Sequence, residues 1–194
     1  MSPVPVYIHA DESCLGNQNL KTAKPGGAGG MVEVFKDGVW ERRDYWLSEP
    51  DTTNNRMALR SAIDSLRMLK KRCIVHFVSD SQYLVKGMME WMPGWKARGW
   101  KRKAGPIENL DLWKILDQAI QHHDVRARWV RGHDGHPENE YVDFLATTAA
   151  KDQSDSGGLV ASGFQEWLDG RREKKGLFME YMEFQAPADR YPVG

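Results

Sequence analysis

The chain has 194 residues, of which 41% are hydrophobic and 28% charged, enough for one buried core of ordinary size with some residues left over. Lysine plus arginine and aspartate plus glutamate number 27 each, so net charge advertises no polyanionic partner and any such surface must be local. The two cysteines, Cys14 and Cys73, are far apart and form no C-x-x-C pair, which excludes a zinc ribbon or disulfide scaffold and suits a reducing compartment; with no membrane-length apolar run and no signal-like start, the expected location is the cytoplasm.

The predicted elements begin with a β-branched and aromatic strand at residues 4–10, "VPVYIHA", followed by a turn-rich loop from Asp11 to Gly30. Two strand-like segments, "GGMVEVF" and "VWERRDYWL", are separated by Lys36-Asp37-Gly38, a strong hairpin signal. Thr53 is placed to cap a helix in which Leu59, Ala62, Ile63, Leu66 and Leu69 recur at helical spacing. A fourth strand is expected at residues 73–79, then helices over "SQYLVKGMMEWM" and "NLDLWKILDQAIQHH" around a basic loop. "VRARWV" (125–130) alternates like a fifth strand, and Pro137 opens a last helix, "ENEYVDFLATTAAK". This order predicts an α/β domain with a mixed sheet and helical crossovers. Residues 152–163 read as a Ser/Gly/Asp linker, and the aromatic segment after it as something that docks.

Asp11 follows the first predicted strand and Asp80 the fourth, while Asp143 lies in the last helix one turn after Asn139. If those strands are neighbours, both aspartates emerge at their carboxyl ends, where open α/β sheets place their sites. Hard divalent cations bind through such carboxylates together with substrate phosphate oxygens. Taken singly, each aspartate is more often a cap or turn residue.

The segments "DESCLGN", "TTNNRM", "SDSQYLVKG", "WKARGWK", "NLDLW" and "GHDGHPENEYVDFLA", in this order and spacing, closely resemble the type 1 ribonuclease H family (bacterial ribonuclease HI), over roughly residues 4–150. The resemblance implies a ribonuclease H-like fold, a five-stranded mixed sheet in the order 3-2-1-4-5 flanked by helices, in a catalytic domain of residues 1–151 with 152–194 as linker and extension. It implies hydrolysis of the RNA strand of RNA–DNA hybrids with two Mg²⁺ or Mn²⁺ ions, leaving 5′-phosphate and 3′-hydroxyl ends. The family's metal-binding aspartates fall on Asp11, Asp80 and Asp143, its loop histidine on His133, and its water- or phosphate-positioning asparagine on Asn139. Its minor-groove readers fall on Asn17, Asn54, Asn55 and Gln82.

Two departures stand out. The family's fourth carboxylate, a glutamate right after "NNRM", falls on Ala58, which predicts a weakened ion and a lost contact near the ribose 2′-hydroxyl. A deliberate substitution that silences cleavage is the favoured explanation. The others are a natural homologue that works poorly or only binds hybrids, and the plain fact that alanine is the strongest helix former. Glu12 is an extra acid where the family has glycine; strand alternation is expected to turn it away from Asp11, so it is not taken as a substitute ligand. Asp51 also stands where relatives often carry arginine, which weakens a DNA-phosphate pocket that includes Thr53.

His133 and His136 sit three apart with no further Cys or His at zinc-ligand spacing; His133 suits proton transfer or product release, and His136, before Pro137, packing and capping. Lys96, Arg98, Lys101, Arg102 and Lys103 interleave with Trp95 and Trp100 and follow Trp91. Such a run is commonly a solvated face with anchoring tryptophans, but it also suits phosphates and deoxyribose faces, and the family carries a hybrid-gripping basic handle here. The extension offers Phe164, Trp167, Leu168, Leu177, Phe178, Tyr181 and Met182 for packing back, a dimer contact, a lid or a partner site. The expected protein is thus a monomeric ribonuclease H, impaired by Ala58. Its rivals are a disabled hybrid-binding protein and, more weakly, a junction resolvase on the same fold.

Overall fold

The computed structural model describes residues 5–16, 24–132 and 135–181. Its first strands are β1 (Pro5–Cys14), β2 (Gly26–Lys36) and β3 (Val39–Glu49). Asp37 and Gly38 join β2 to β3 with φ of 50° and 82°, the two-residue turn whose twist matches its flanking strands, and Lys36 pairs with Val39 across it. β1 and β2 outrun their predicted lengths: β1 continues through Asp11 and Glu12, and β2 starts at Gly26. Glycines and acids have weak strand propensity, but pairing of Asp11 with Gly29 and Cys14 with Gly26 overrides it.

α1 (Asn54–Met68) starts at Thr53, whose Oγ1 accepts the Arg56 N–H at 3.3 Å. β4 (Ile74–Ser79) follows, then a continuous rod of α2 (Gln82–Lys86), a π-helical turn (Gly87–Trp91) and α3 (Met92–Ala97). α4 (Leu110–Ile120), β5 (Asp124–Trp129) and α5 (Pro137–Asp152) complete the expected order. The sheet runs β5-β4-β1-β2-β3-β6, with β1, β4 and β5 mutually parallel and the other pairs antiparallel. The five-stranded order expected from the resemblance is present. The sixth strand, β6 (Val160–Ala161), lies within the segment expected to be a linker, and α6 (Phe164–Lys175) follows it.

The two faces of the sheet pack differently. Val6, Ile8 and Ala10 of β1 join Phe77 of β4, Met57, Ala58 and Leu59 of α1, and Trp113 and Leu116 of α4 in the main apolar core, where each large side chain contributes about 1.5–3 kcal/mol of burial. On the other face α5 rides directly on β2. A Cβ at Gly27 would strike the backbone of Ala146 and Ala150, and one at Gly29 would strike Leu145 and Ala146, so these glycines set how close α5 comes.

The extension docks beside α5. Met31, Tyr141, Val142, Phe164 and Leu168 form a second apolar cluster, and buried Asp44 of β3 accepts from Tyr141 Oη at 2.6 Å and from the Gly163 N–H at 2.9 Å. Packing back is therefore what residues 160–181 do. No helix among the described residues is long and apolar enough to cross a membrane.

Candidate active site

β1 and β4 run parallel, with Ala10 level with Ser79, so Asp11 and Asp80 occupy adjacent positions at one end of the sheet. Across β1 on the other side, Asp11 is paired with Gly29, against which α5 sits, and this close seat brings Asp143 to the same point. Asp11 is 6% exposed, and its Oδ1 accepts the Glu12 N–H at 2.7 Å. Burial, followed by the charges of Asp80, Glu12 and Asp143, pushes its carboxyl up to about 9 against that one hydrogen bond. Asp80 is held from two sides: the Trp129 indole N–H donates to its carbonyl at 2.9 Å, and Gly132 leaves room for its carboxylate, which any Cβ there would strike.

Glu12 belongs to the same cluster. Side chains alternate along a strand, so Asp11 points toward α5, whereas Glu12 points with Ala10 and Ile8 toward α1. That is the face on which residue 58 lies: Ala58 is 1% exposed and packed in the core with Ala10. The expectation that Glu12 turns away from Asp11 is correct, but away from Asp11 means toward the place of the missing glutamate. Burial, then the charge of Asp80, pushes the Glu12 carboxyl up to about 8, opposed by a hydrogen bond from the Ser81 hydroxyl. The same hydroxyl accepts the Leu84 N–H at 3.3 Å as the cap of α2. Neither Glu12 nor Ser81 was singled out in the sequence as part of the site; the period-2 pattern of β1 combined with the helix faces is the signal that finds them.

The charges of Asp80 and Glu12 and, less strongly, of Asp143 oppose ionisation of Asp11, and that of Asp80 opposes ionisation of Glu12; a hard divalent cation bound by such oxygens would relieve the repulsion. Among the described residues no group of three or more acidic, histidine or cysteine side chains is arranged to hold a metal ion. Asn139 is buried in the first turn of α5, one turn before half-buried Asp143. His133 and Asn17 lie outside the described residues. His136 occupies the N-cap position of α5 but is exposed and makes no side-chain cap, contrary to the capping role expected of it.

Asn54 and Asn55 open α1, and Gln82 opens α2; Asn54 and Gln82 are exposed and Asn55 partly so. Thr53 is exposed but spends its hydroxyl on the α1 cap. The basic loop divides into anchors and free groups. Trp95 is 7% exposed and meets Trp113 edge-on at 5.5 Å inside the core, so it presents no stacking face, while Trp100 is half-buried against that core. Trp91, 36% exposed, sits at the rim. Lys96 is ion-paired with Asp117 at 2.6 Å, and Arg98 and Arg102 brace loop carbonyls through Nε. Lys101, Arg102 and Lys103 face solvent.

The RNase H family model matches residues 3–151. Ribonuclease H of Stutzerimonas stutzeri (strain A1501) is 49% identical over 142 residues, 73% of this chain and 88% of the relative. Ribonuclease H of Cupriavidus necator is 46% identical over 142 residues, 73% of this chain and 92% of the relative. Among solved structures, LC9-RNase H1, described as a type 1 RNase H with the type 2 active-site motif, superposes with a TM-score of 0.80 at 52% identity, covering 86% of this chain and 82% of its own. That share exceeds what residues 1–151 can supply, so the likeness reaches into the extension. With the carboxylate cluster, the sheet order and these likenesses in agreement, the chain belongs to the RNase H family.

Proposed function

We propose that this protein hydrolyses the RNA strand of RNA–DNA hybrids in a divalent-metal-dependent reaction, with Asp11, Glu12, Asp80 and Asp143 as its acidic set. The observation that carries this reading is Glu12: it stands beside Asp80 and Ser81, on the sheet face where a glutamate at position 58 would have pointed. A rearranged acidic set has a parallel in LC9-RNase H1, described as a type 1 protein with the type 2 active-site motif. On this reading Ala58 fills the core beneath an acid supplied from β1, and the chain is active without a glutamate in α1.

Mg²⁺ or Mn²⁺, when bound, would supply charge neutralisation at the scissile phosphate and a water of lowered pKa. The four carboxylates would hold the ions, and Asn139, in the first turn of α5, would orient water or phosphate. His133 moves a proton near neutral pH, leaving 5′-phosphate and 3′-hydroxyl ends. Asn17, Asn54, Asn55 and Gln82 read the minor groove, and Glu12, on the α1 side, takes the role of the acid that contacts the ribose 2′-hydroxyl separating RNA from DNA. Lys101, Arg102 and Lys103 grip phosphates. The protein works as a cytoplasmic monomer, consistent with its free cysteines.

The competing reading is a chain disabled by Ala58 that only binds hybrids, favoured by the presence at this buried position of a side chain with no carboxylate. Cleavage of a labelled hybrid in Mg²⁺ and in Mn²⁺ by the parent, Glu12→Gln and Ala58→Glu separates the two. The expected result is robust cleavage by the parent, a loss of about 100-fold or more in Glu12→Gln, and no gain in Ala58→Glu. Cleavage that appears only once glutamate is placed at position 58 would overturn the assignment of Glu12.

A further inference from the structure

α5 carries Asn139 and Asp143; Pro137 at its start removes one unpaired N–H, and His136 makes no side-chain cap for those that follow. The extension meets it there. After α6 ends at Lys175, residues 176–181 turn back toward residues 135–140 and line with them an open cleft of about 690 Å³. Tyr181 Oη donates to Glu138 Oε1 at 2.6 Å, a short charge-assisted bond to a side chain in the first turn of α5 that is itself buried. Tyr181 is in turn fixed by α6, since Arg172 donates to its carbonyl at 2.9 Å and to that of Phe178 at 3.4 Å. Its ring meets Phe164 edge-on at 6.1 Å, and Phe178 stacks on Trp167 at 5.8 Å.

From this geometry we infer that Tyr181 is a positioning residue: through Glu138 it holds the first turn of α5, and with it Asn139 and Asp143, against the acidic cluster. Glu138 and Asn139 are consecutive, and Asp143 is one turn further on, so a shift of the first turn moves both functional groups together. The extension is then a brace for the catalytic helix as well as a docked appendage. Its effect on turnover rests on the nuclease reading above, whereas its effect on the helix does not.

Two measurements on the full chain test this, made on the parent, Tyr181→Phe, Glu138→Ala, Glu138→Gln and the double variant Tyr181→Phe/Glu138→Ala. The first is amide hydrogen exchange in metal-free protein. Tyr181→Phe is expected to speed exchange over residues 137–143 by about tenfold while β1 and β4 keep their protection. The second is steady-state cleavage of a hybrid in Mn²⁺, where kcat is expected to fall about tenfold with KM held. Glu138→Gln still accepts from Tyr181 and should keep most of both properties, and the double variant should be no worse than either single one. Unchanged exchange over residues 137–143 in Tyr181→Phe would overturn the inference. So would faster exchange spread equally through the sheet, or a loosened helix with undiminished kcat. A parent that cleaves no hybrid would remove the nuclease reading, and the exchange result would then decide the brace by itself.

Discussion

The two faces of the central sheet are built of different materials. Toward α1 and α4 the sheet presents Ile8 and Phe77, which meet Trp113 of α4 in a large apolar core. Toward α5 it presents glycines and buried polar groups: Gly27 and Gly29 under the helix, the Glu33 carboxylate between His9 at 3.0 Å and Arg42 at 2.7 Å, and Asp44 holding the extension. The first face supplies stability through area that tolerates repacking. The second fixes a distance, and tolerates little. The acidic cluster sits where they meet, with Asp11 turned to the second face and Glu12 to the first.

The largest expected effect on stability comes from the apolar face. Trp113→Ala should cost about 3–5 kcal/mol in denaturant unfolding, while the molecules that remain folded keep their kcat. A kcat that collapses with stability would erase the distinction between the faces. Gly29→Val should cost less, about 1–3 kcal/mol for overpacking, yet abolish most turnover by lifting α5 and Asp143 off β2. Retained activity in that variant would show that α5 has slack.

Acidity sharpens the comparison at the junction. Asp11 and Glu12 have folded-state values near 9 and 8, above the carboxylate values of about 4 of an unfolded chain. The folded protein therefore binds more protons between those limits, and metal-free stability should fall as pH rises from about 4 toward 9. Mn²⁺ should remove the slope. Thermal melts across that range test both statements, and a flat metal-free profile would mean that Asp11 and Glu12 are more hydrated than their burial here requires. The smallest effect belongs to the basic loop: Lys101→Ala and Lys103→Ala should each weaken hybrid binding uniformly and reduce the salt slope by about 1. Trp95→Ala, by contrast, should behave as a core variant, with lost stability and an unchanged slope.

Much of the fold was legible in the sequence because its signals are local. Asp37-Gly38 specifies a turn, and Leu59, Ala62, Ile63 and Leu66 specify one helix face. β6 was not legible, since two residues carry no period and its pairing with Arg43 and Asp44 is set from far along the chain. Asp11, Asp80 and Asp143 stand out in the sequence through neighbourhoods shared with a known family, while their closeness comes from the parallel β1–β4 pair and the seat of α5. Glu12 was readable only in part: alternation gave its direction, but what lies in that direction depends on which helix covers which face. Trp95 was misleading for a related reason, as a tryptophan beside lysines looks the same whether it stacks on a ligand or anchors the loop from inside.

β6 has a consequence for handling the protein. β3 is eleven residues long and would otherwise be the open border of the sheet, with a row of unsatisfied N–H and C=O groups ready to template another copy. Val160 and Ala161 occupy part of that border, and the Ser156 N–H adds a bond to the Trp46 carbonyl at 3.0 Å. A chain trimmed to residues 1–151 would keep every acid of the cluster and lose this cover. Such a fragment should self-associate more readily than the full chain, so the extension that looks dispensable from the active site guards an edge of the sheet.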